Sequence, residues 1–253
     1  VSQAEKRPEI ALPKGLAAAT LDGLKEILRD LTGADIHASL FFAPSLVTLL
    51  PEVARHLPLP APVPGLALVH DYQSVRFTRP LPADTALTVK RLRKESGLTT
   101  ELEIDILGFA QSVTAVRQLP ERELSGAAPL RMRPLETGPT LVCRTAHVEG
   151  YLQHSRDPNM LHRDVALARA LGFAAPVVPG LLLAGLIQPA VEAAYPTAQV
   201  TALRVRFAAP VQIDQPLQVA LQPRGETRLR AFVLVKGGAA AIVDLELAPQ
   251  PEP

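Results

Sequence analysis

The sequence predicts an α+β chain built twice from one unit. Three observations carry that prediction: a repeated strand–turn–strand segment, an antiparallel run of alternating strands after each copy, and an apolar helix before each. The segment Ser74–Asp84 resembles Arg204–Asp214. Val75, Arg76, Phe77, Pro80 and Asp84 recur as Val205, Arg206, Phe207, Pro210 and Asp214, every pair 130 positions apart. The register continues as Leu87 and Val89 against Leu217 and Val219.

Within each copy Val75 and Phe77, or Val205 and Phe207, share one strand face while Arg76 or Arg206 takes the other. Proline and aspartate then break the run into a turn. Further strands are expected over Leu102–Leu107 and Ser112–Arg117, and again over Arg230–Val235 and Ala240–Leu247, with Gly97 and Gly225 at hairpin turns. The second buried helix is Pro179–Ile187, apolar on every face, with Pro189 forcing a kink or an end near Gln188. Pro44–Leu50, followed by Pro51, is its counterpart in the first half. Gln118–Pro139, with four prolines and mixed charges, reads as the crossover between halves. The domains expected are residues 1–125, a linker over 126–139, and residues 140–253.

At 253 residues and 47% hydrophobic content the chain has enough apolar material for one large domain or two small ones. A net charge of +1 gives no electrostatic reason to expect nucleic acid, and with no Trp and 4% aromatics base-stacking platforms are not expected. The one dense basic run, Lys90, Arg91, Arg93 and Lys94, is either a solvated strand end or a rim that attracts the phosphates of a carrier cofactor. The single cysteine, Cys143, cannot form an internal disulfide and lies in a strand-like run, which favours a buried structural thiol. No basic-then-apolar leader opens the chain and no apolar run nears the ~20 residues that span a bilayer. The expectation is a soluble cytoplasmic protein without membrane insertion.

Chemistry concentrates between the crossover and the second buried helix. Tyr151-Leu152-Gln153-His154-Ser155-Arg156-Asp157-Pro158-Asn159-Met160-Leu161-His162 leads into a helical stretch from about Arg163 to Leu171, with Val165, Ala168 and Leu171 as its apolar stripe and Gly172 as its stop. Asp157, Asn159 and His162 therefore sit in or beside a helix-initiating loop. Taken singly, these residues have ordinary readings: Asp157 and Asn159 as caps or turn formers, His162 as a structural histidine. Ser155 lacks the Gly-x-Ser-x-Gly setting of a nucleophile, and His154, Asp157 and His162 lack the helical spacing of a metal site. No metal is expected. His37, His56, His70 and His147 have no evident partners, although His70 opens a strand that could line the groove between halves.

Taken together, Ser155, Asp157, Asn159, His162, Gly172, Phe173, Pro176 and Gly180 match in order and spacing the motif of the MaoC-like dehydratases, the (R)-specific enoyl-CoA hydratase (hydratase 2) family. The resemblance implies a double hot dog fold, two antiparallel sheets each wrapped around a central buried helix. It also implies reversible hydration of trans-2-enoyl thioesters to (R)-3-hydroxyacyl thioesters. In that scheme Asp157 and His162 share the water and proton-transfer work, and Asn159 orders the loop or the water. The Gly180 N–H polarises the thioester carbonyl, and Ser155 and Tyr151 complete the substrate site. No cofactor is implied beyond the coenzyme A or acyl carrier protein that forms part of the substrate.

Three positions depart from the motif. Arg156 and Met160 stand where the family has Gly and Pro, and Pro179 stands where it has His before the helix glycine. These departures leave a non-catalytic thioester-binding or assembly subunit as the alternative, with a thioesterase on the same fold as a third. Aligning Pro44 on Pro179 places Ile27 at the His162 position, so one active site per chain is expected, in a monomer or a homodimer.

Overall fold

A computed structural model describes residues 9–37, 40, 63, 65–133, 135–236 and 238–249; the expected helix Pro44–Leu50 with its Pro51 break, and His56, lie outside them. Strands β1 (Glu9–Leu12), β2 (Leu66–Phe77), β3 (Leu87–Ser96), β4 (Thr99–Ile106) and β5 (Ala110–Pro120) form one block. Strands β6 (Leu141–Val142), β7 (Ala198–Phe207), β8 (Pro216–Pro223), β9 (Arg228–Val235) and β10 (Gly238–Pro249) form another. All lie in one ten-stranded sheet, in the order β1-β3-β4-β5-β2-β7-β10-β9-β8-β6, so the second block mirrors the first. The expected two sheets are thus one. Antiparallel pairing of β2 with β7, from Tyr72↔Arg206 to Arg76↔Ala202, joins the blocks and leaves neither with an open edge at the centre.

The repeated turn is structural as well as sequential. Asp84 and Asp214 both adopt positive φ, at 51° and 64°, a conformation that aspartate tolerates better than most side chains. Asp84 Oδ1 accepts from the Ala18 N–H, and the Asp214 N–H donates to the Cys143 carbonyl. Each turn therefore fastens its block to the segment preceding it. Cys143 is buried, and burial pushes its thiol pKa up to about 12, as suits a structural residue.

Three helices had no counterpart among the elements expected from the sequence. Helix α1 (Ala18–Thr32) buries Leu24, Leu28 and Leu31 and ends at Gly33 with φ 69°. After the short α2 (Glu121–Gly126), α3 (Thr145–Ser155) crosses α1 at close range. A Cβ on Gly23 of α1 would stand 2.1 Å from the His154 ring, and one on Gly150 of α3 would stand 3.3 Å from Ile27. His147 locks the crossing: its Nδ1 accepts from the Arg144 N–H and its Nε2–H donates to Asp30 Oδ2.

The expected helix beginning at about Arg163 resolves into a 3₁₀ turn over Met160–His162 and α4 (Val165–Ala170). Asp164 causes the break by capping α4, its Oδ1 accepting from the Ala166 and Leu167 N–H groups. Ala168 and Leu171 are buried as expected, whereas Val165 is exposed. The second buried helix is α5 (Gly180–Gly185), continued by α6 (Ile187–Ala194). The interruption falls at Leu186 rather than near Gln188. A proline ring crowds the carbonyl four residues earlier, which for Pro189 is that of Gly185. Leu181, Leu182, Leu183, Leu186, Ile187 and Val191 fill the core shared with the inner faces of both blocks.

The crossover is less irregular than its prolines suggest: β5 extends to Pro120, α2 follows, and Leu130 then pairs with Ala239 of β10. No helix among the described residues is long and apolar enough to cross a membrane.

Candidate active site

Helix α3 delivers the site. Tyr151 and Ser155, expected to meet the substrate, are almost wholly covered at 1% and 2% exposure, and their hydroxyls share a hydrogen bond one helical turn apart. Burial, and next the Asp157 charge, push the Tyr151 phenol well above its ordinary pKa, so it stays neutral. Ser155 Oγ also accepts from the Asp157 N–H at 3.3 Å. These two residues support the loop from beneath.

Arg156 ends α3 in the left-handed conformation, φ 54° and ψ 29°, with its N–H on the Leu152 carbonyl. This is a helix-terminating position that glycine fills without strain, which explains the glycine of the related motif. The arginine side chain is exposed, so the departure alters local strain without filling the site. Arg156→Gly is expected to raise stability by about 0.5–1 kcal/mol, read as a higher urea midpoint at unchanged m-value. An unchanged or lower midpoint would contradict this account.

From there the loop is tied by its own side chains. Asp157 Oδ1 accepts from the Asn159 N–H at 2.9 Å, and Asn159 Oδ1 accepts from the Leu161 N–H at 3.1 Å, opening the 3₁₀ turn. Arg163 Nη2 donates to the Asp157 carbonyl. Asn159 thus orders the loop.

His162 closes the turn, buried at 9% exposure. Its Nδ1–H donates to the Val177 carbonyl at 2.7 Å, which leaves the neutral ring's free lone pair on Nε2. That atom stands 3.7 Å from Asp157 Oδ2, the carboxylate oxygen Asn159 does not use. Burial holds the His162 pKa below its ordinary value. The Asp157 charge and the Val177 carbonyl oppose this, and Arg163 adds to it. A neutral base thus faces a carboxylate across a gap too long for a direct hydrogen bond.

Gly180 begins α5 after Pro179, so its N–H has no partner within the helix. A glycine at this position leaves open the space beside the start of the helix. The structure places the Phe207 ring there, with its carbons 2.9–3.1 Å from the position of a Gly180 Cβ. Phe207 in turn packs against His70, ring centroids 4.8 Å apart. Neither Phe207 nor the Val177 carbonyl was singled out as a site group. Phe207 lay within the repeat and read as a strand residue; a backbone acceptor carries no signal in residue type.

His70, on β2, donates from Nε2 to the Tyr72 carbonyl, and burial lowers its pKa to about 4 against the weaker opposing effects of Tyr72 and Gln73. The unfolded chain therefore binds a proton here that the native protein refuses. His70 contributes stability that is complete above pH ~6.5 and is lost as pH falls toward 4, about 2 kcal/mol by pH 5. Urea midpoints of wild type and His70→Gln should draw together between pH 7 and 5. Parallel curves would refute the assignment.

Residues 126–244 match the MaoC like domain. No curated protein sequence matches the chain significantly. Among solved structures the chain is similar to HtdX from Mycobacterium tuberculosis, at 18% identity and a TM-score of 0.72, covering 94% of this chain and 99% of that one. It is also similar to a MaoC-like dehydratase from Phytophthora capsici, at 16% identity and 0.68, covering 97% and 96%. A more distant likeness is to an acyl-ACP thioesterase from Bacteroides thetaiotaomicron, at 9% and 0.55, covering 98% and 100%. At these identities the structural likenesses speak for the fold alone. The sequence match is what points to a family: over residues 126–244, a little under half of its length, the chain is similar to the MaoC like domain.

Proposed function

We propose that the chain is a double hot dog hydratase that reversibly converts trans-2-enoyl thioesters to (R)-3-hydroxyacyl thioesters. Residues 1–125 form its degenerate half, 126–139 its linker, and 140–253 the half that carries the chemistry. The observation that carries the reading is the His162–Asp157 pair, with Nδ1 fixed by Val177 and Nε2 at 3.7 Å from Oδ2. A water held between the two would add its hydroxyl to C3 of the enoyl group, and the proton it releases would pass through the pair to C2. The Gly180 N–H, at the positive end of α5, would stabilise the enolate oxygen that develops on the thioester. Neutral Tyr151 and Ser155 keep Asp157 in place from below, and Asn159 fixes the carboxylate's orientation.

A purified protein should hydrate crotonyl-CoA or a longer enoyl thioester, followed as loss of the conjugated absorbance, without releasing free thiol. Thiol release would favour the thioesterase alternative, which the shared fold keeps in view. Binding of the thioester without either product would favour a non-catalytic subunit.

A further inference from the structure

The outer face of the sheet carries a feature that the proposed chemistry leaves unused. Val75, Leu203, Leu229 and Leu245 turn inward to the core, so the residues alternating with them turn outward. Those outward side chains line a groove of about 780 Å³ that holds five arginines, Arg76, Arg204, Arg224, Arg228 and Arg230, against two carboxylates. Both acids are already engaged. Arg230 forks onto Asp244, Nε to Oδ1 at 2.6 Å and Nη2 to Oδ2 at 3.0 Å, and Arg76 Nη1 meets Glu246 Oε2 at 3.1 Å. Arg204 lies over the Tyr72 ring, 5.6 Å from its centroid. No carboxylate among the described residues pairs with Arg204, Arg224 or Arg228.

We propose that this groove docks a small acidic carrier protein that presents the acyl thioester; the inference rests on the hydratase reading and names the carrier. The arginines stand on β2, β7, β9 and the β8–β9 hairpin rather than on one element, an arrangement that suits a row of carboxylates better than a single phosphate group. The lining strands run from β5 to β9, about 19 Å across at the usual strand spacing, room for one helix of ~10–12 Å diameter. The fork already made with Asp244 is the geometry by which arginine takes a partner's carboxylate. Strand β7 leads from Arg204 to Phe207, the ring beside Gly180, in about 10 Å. Strand β7 therefore carries both Arg204 of the dock and the Phe207 ring that packs beside Gly180 of α5.

The test uses the full chain and the Arg224→Glu/Arg228→Glu variant, both substitutions at exposed hairpin positions. Titration with an acidic acyl carrier protein should show a Kd at least 10-fold weaker in the variant and a wild-type Kd that weakens between 50 and 300 mM salt. The KM for crotonyl-CoA should stay within 2-fold. Equal carrier binding by variant and wild type overturns the proposal, as does an equal loss toward crotonyl-CoA, which would mark a small-phosphate site instead. Arg204→Glu, measured in the same way, extends the test to the strand. Because binding is read without turnover, a chain that hydrates nothing yet binds the carrier through these arginines sinks the hydratase reading and spares the dock.

Discussion

Asp157→Asn protein folds with wild-type stability and loses hydration of crotonyl-CoA by about 10²–10⁴-fold, the usual weight of a positioned acid–base group. The substitution is nearly isosteric. Its amide oxygen still accepts from the Asn159 N–H that Asp157 Oδ1 holds at 2.9 Å, so the loop keeps its shape while the charge facing His162 disappears. His162→Ala loses activity to a similar degree but also strands the Val177 carbonyl, at about 1–3 kcal/mol in stability. The pair therefore parts chemistry from folding: one variant is silent but stable, the other silent and weakened. The pH profile supplies a further signature. Burial sets the His162 pKa below its ordinary 6.5 while the Asp157 charge partly restores it. The acid limb of kcat/KM in wild type should accordingly fall below pH 6.5, and the residual activity of Asp157→Asn should show it displaced to still lower pH. Turnover of Asp157→Asn within 10-fold of wild type would remove Asp157 from the mechanism.

Legibility in the sequence followed the reach of each interaction. The repeat was visible because strand alternation and turn aspartates are local, and Asp84 and Asp214 proved to share an uncommon backbone conformation. The fusion of the two blocks was not predicted as one sheet, because pairing of Tyr72 with Arg206 is a contact between segments far apart in the chain. Helix α1 was legible and unread: Leu21, Leu24, Leu28 and Leu31 recur at helical spacing. Helix α3 gave less to read, with Gly150 in its middle and only a slight apolar bias to one face. At the candidate site, the ordered motif rather than any single residue type singled out Asp157, Asn159 and His162, which the fold brings into one loop. Their sequence did not disclose that Asn159 holds one Asp157 oxygen and leaves the other for His162. It also did not disclose that Phe207 occupies the space beside Gly180. Those facts depend on folded distances, which no local pattern encodes.

The largest expected effect on stability lies at Gly238, where β10 begins. Its φ of 145° belongs to a region that L side chains rarely adopt, and an added Cβ would stand 2.0 Å from the Leu130 carbonyl oxygen and 2.7 Å from its carbon. The obstacle is backbone, so no side chain can swing aside. Leu130 is held there by reciprocal hydrogen bonds with Ala239, each 2.9 Å, which dock the crossover onto the sheet just ahead of the segment that leads into β6, α3 and the candidate site. Gly238→Ala must adopt a strained backbone, at about 1–3 kcal/mol, and must also push the crossover away and break one or both of those bonds, at about 1 kcal/mol each. The expected loss is roughly 2–5 kcal/mol by urea denaturation. Gly225→Ala provides the control, since Gly225 has a comparable φ of 129° but open space where its Cβ would go. It should show the strain alone. The difference between the two variants then measures the grip of the crossover on β10, and a difference under about 1 kcal/mol would mean that the Leu130 segment yields freely.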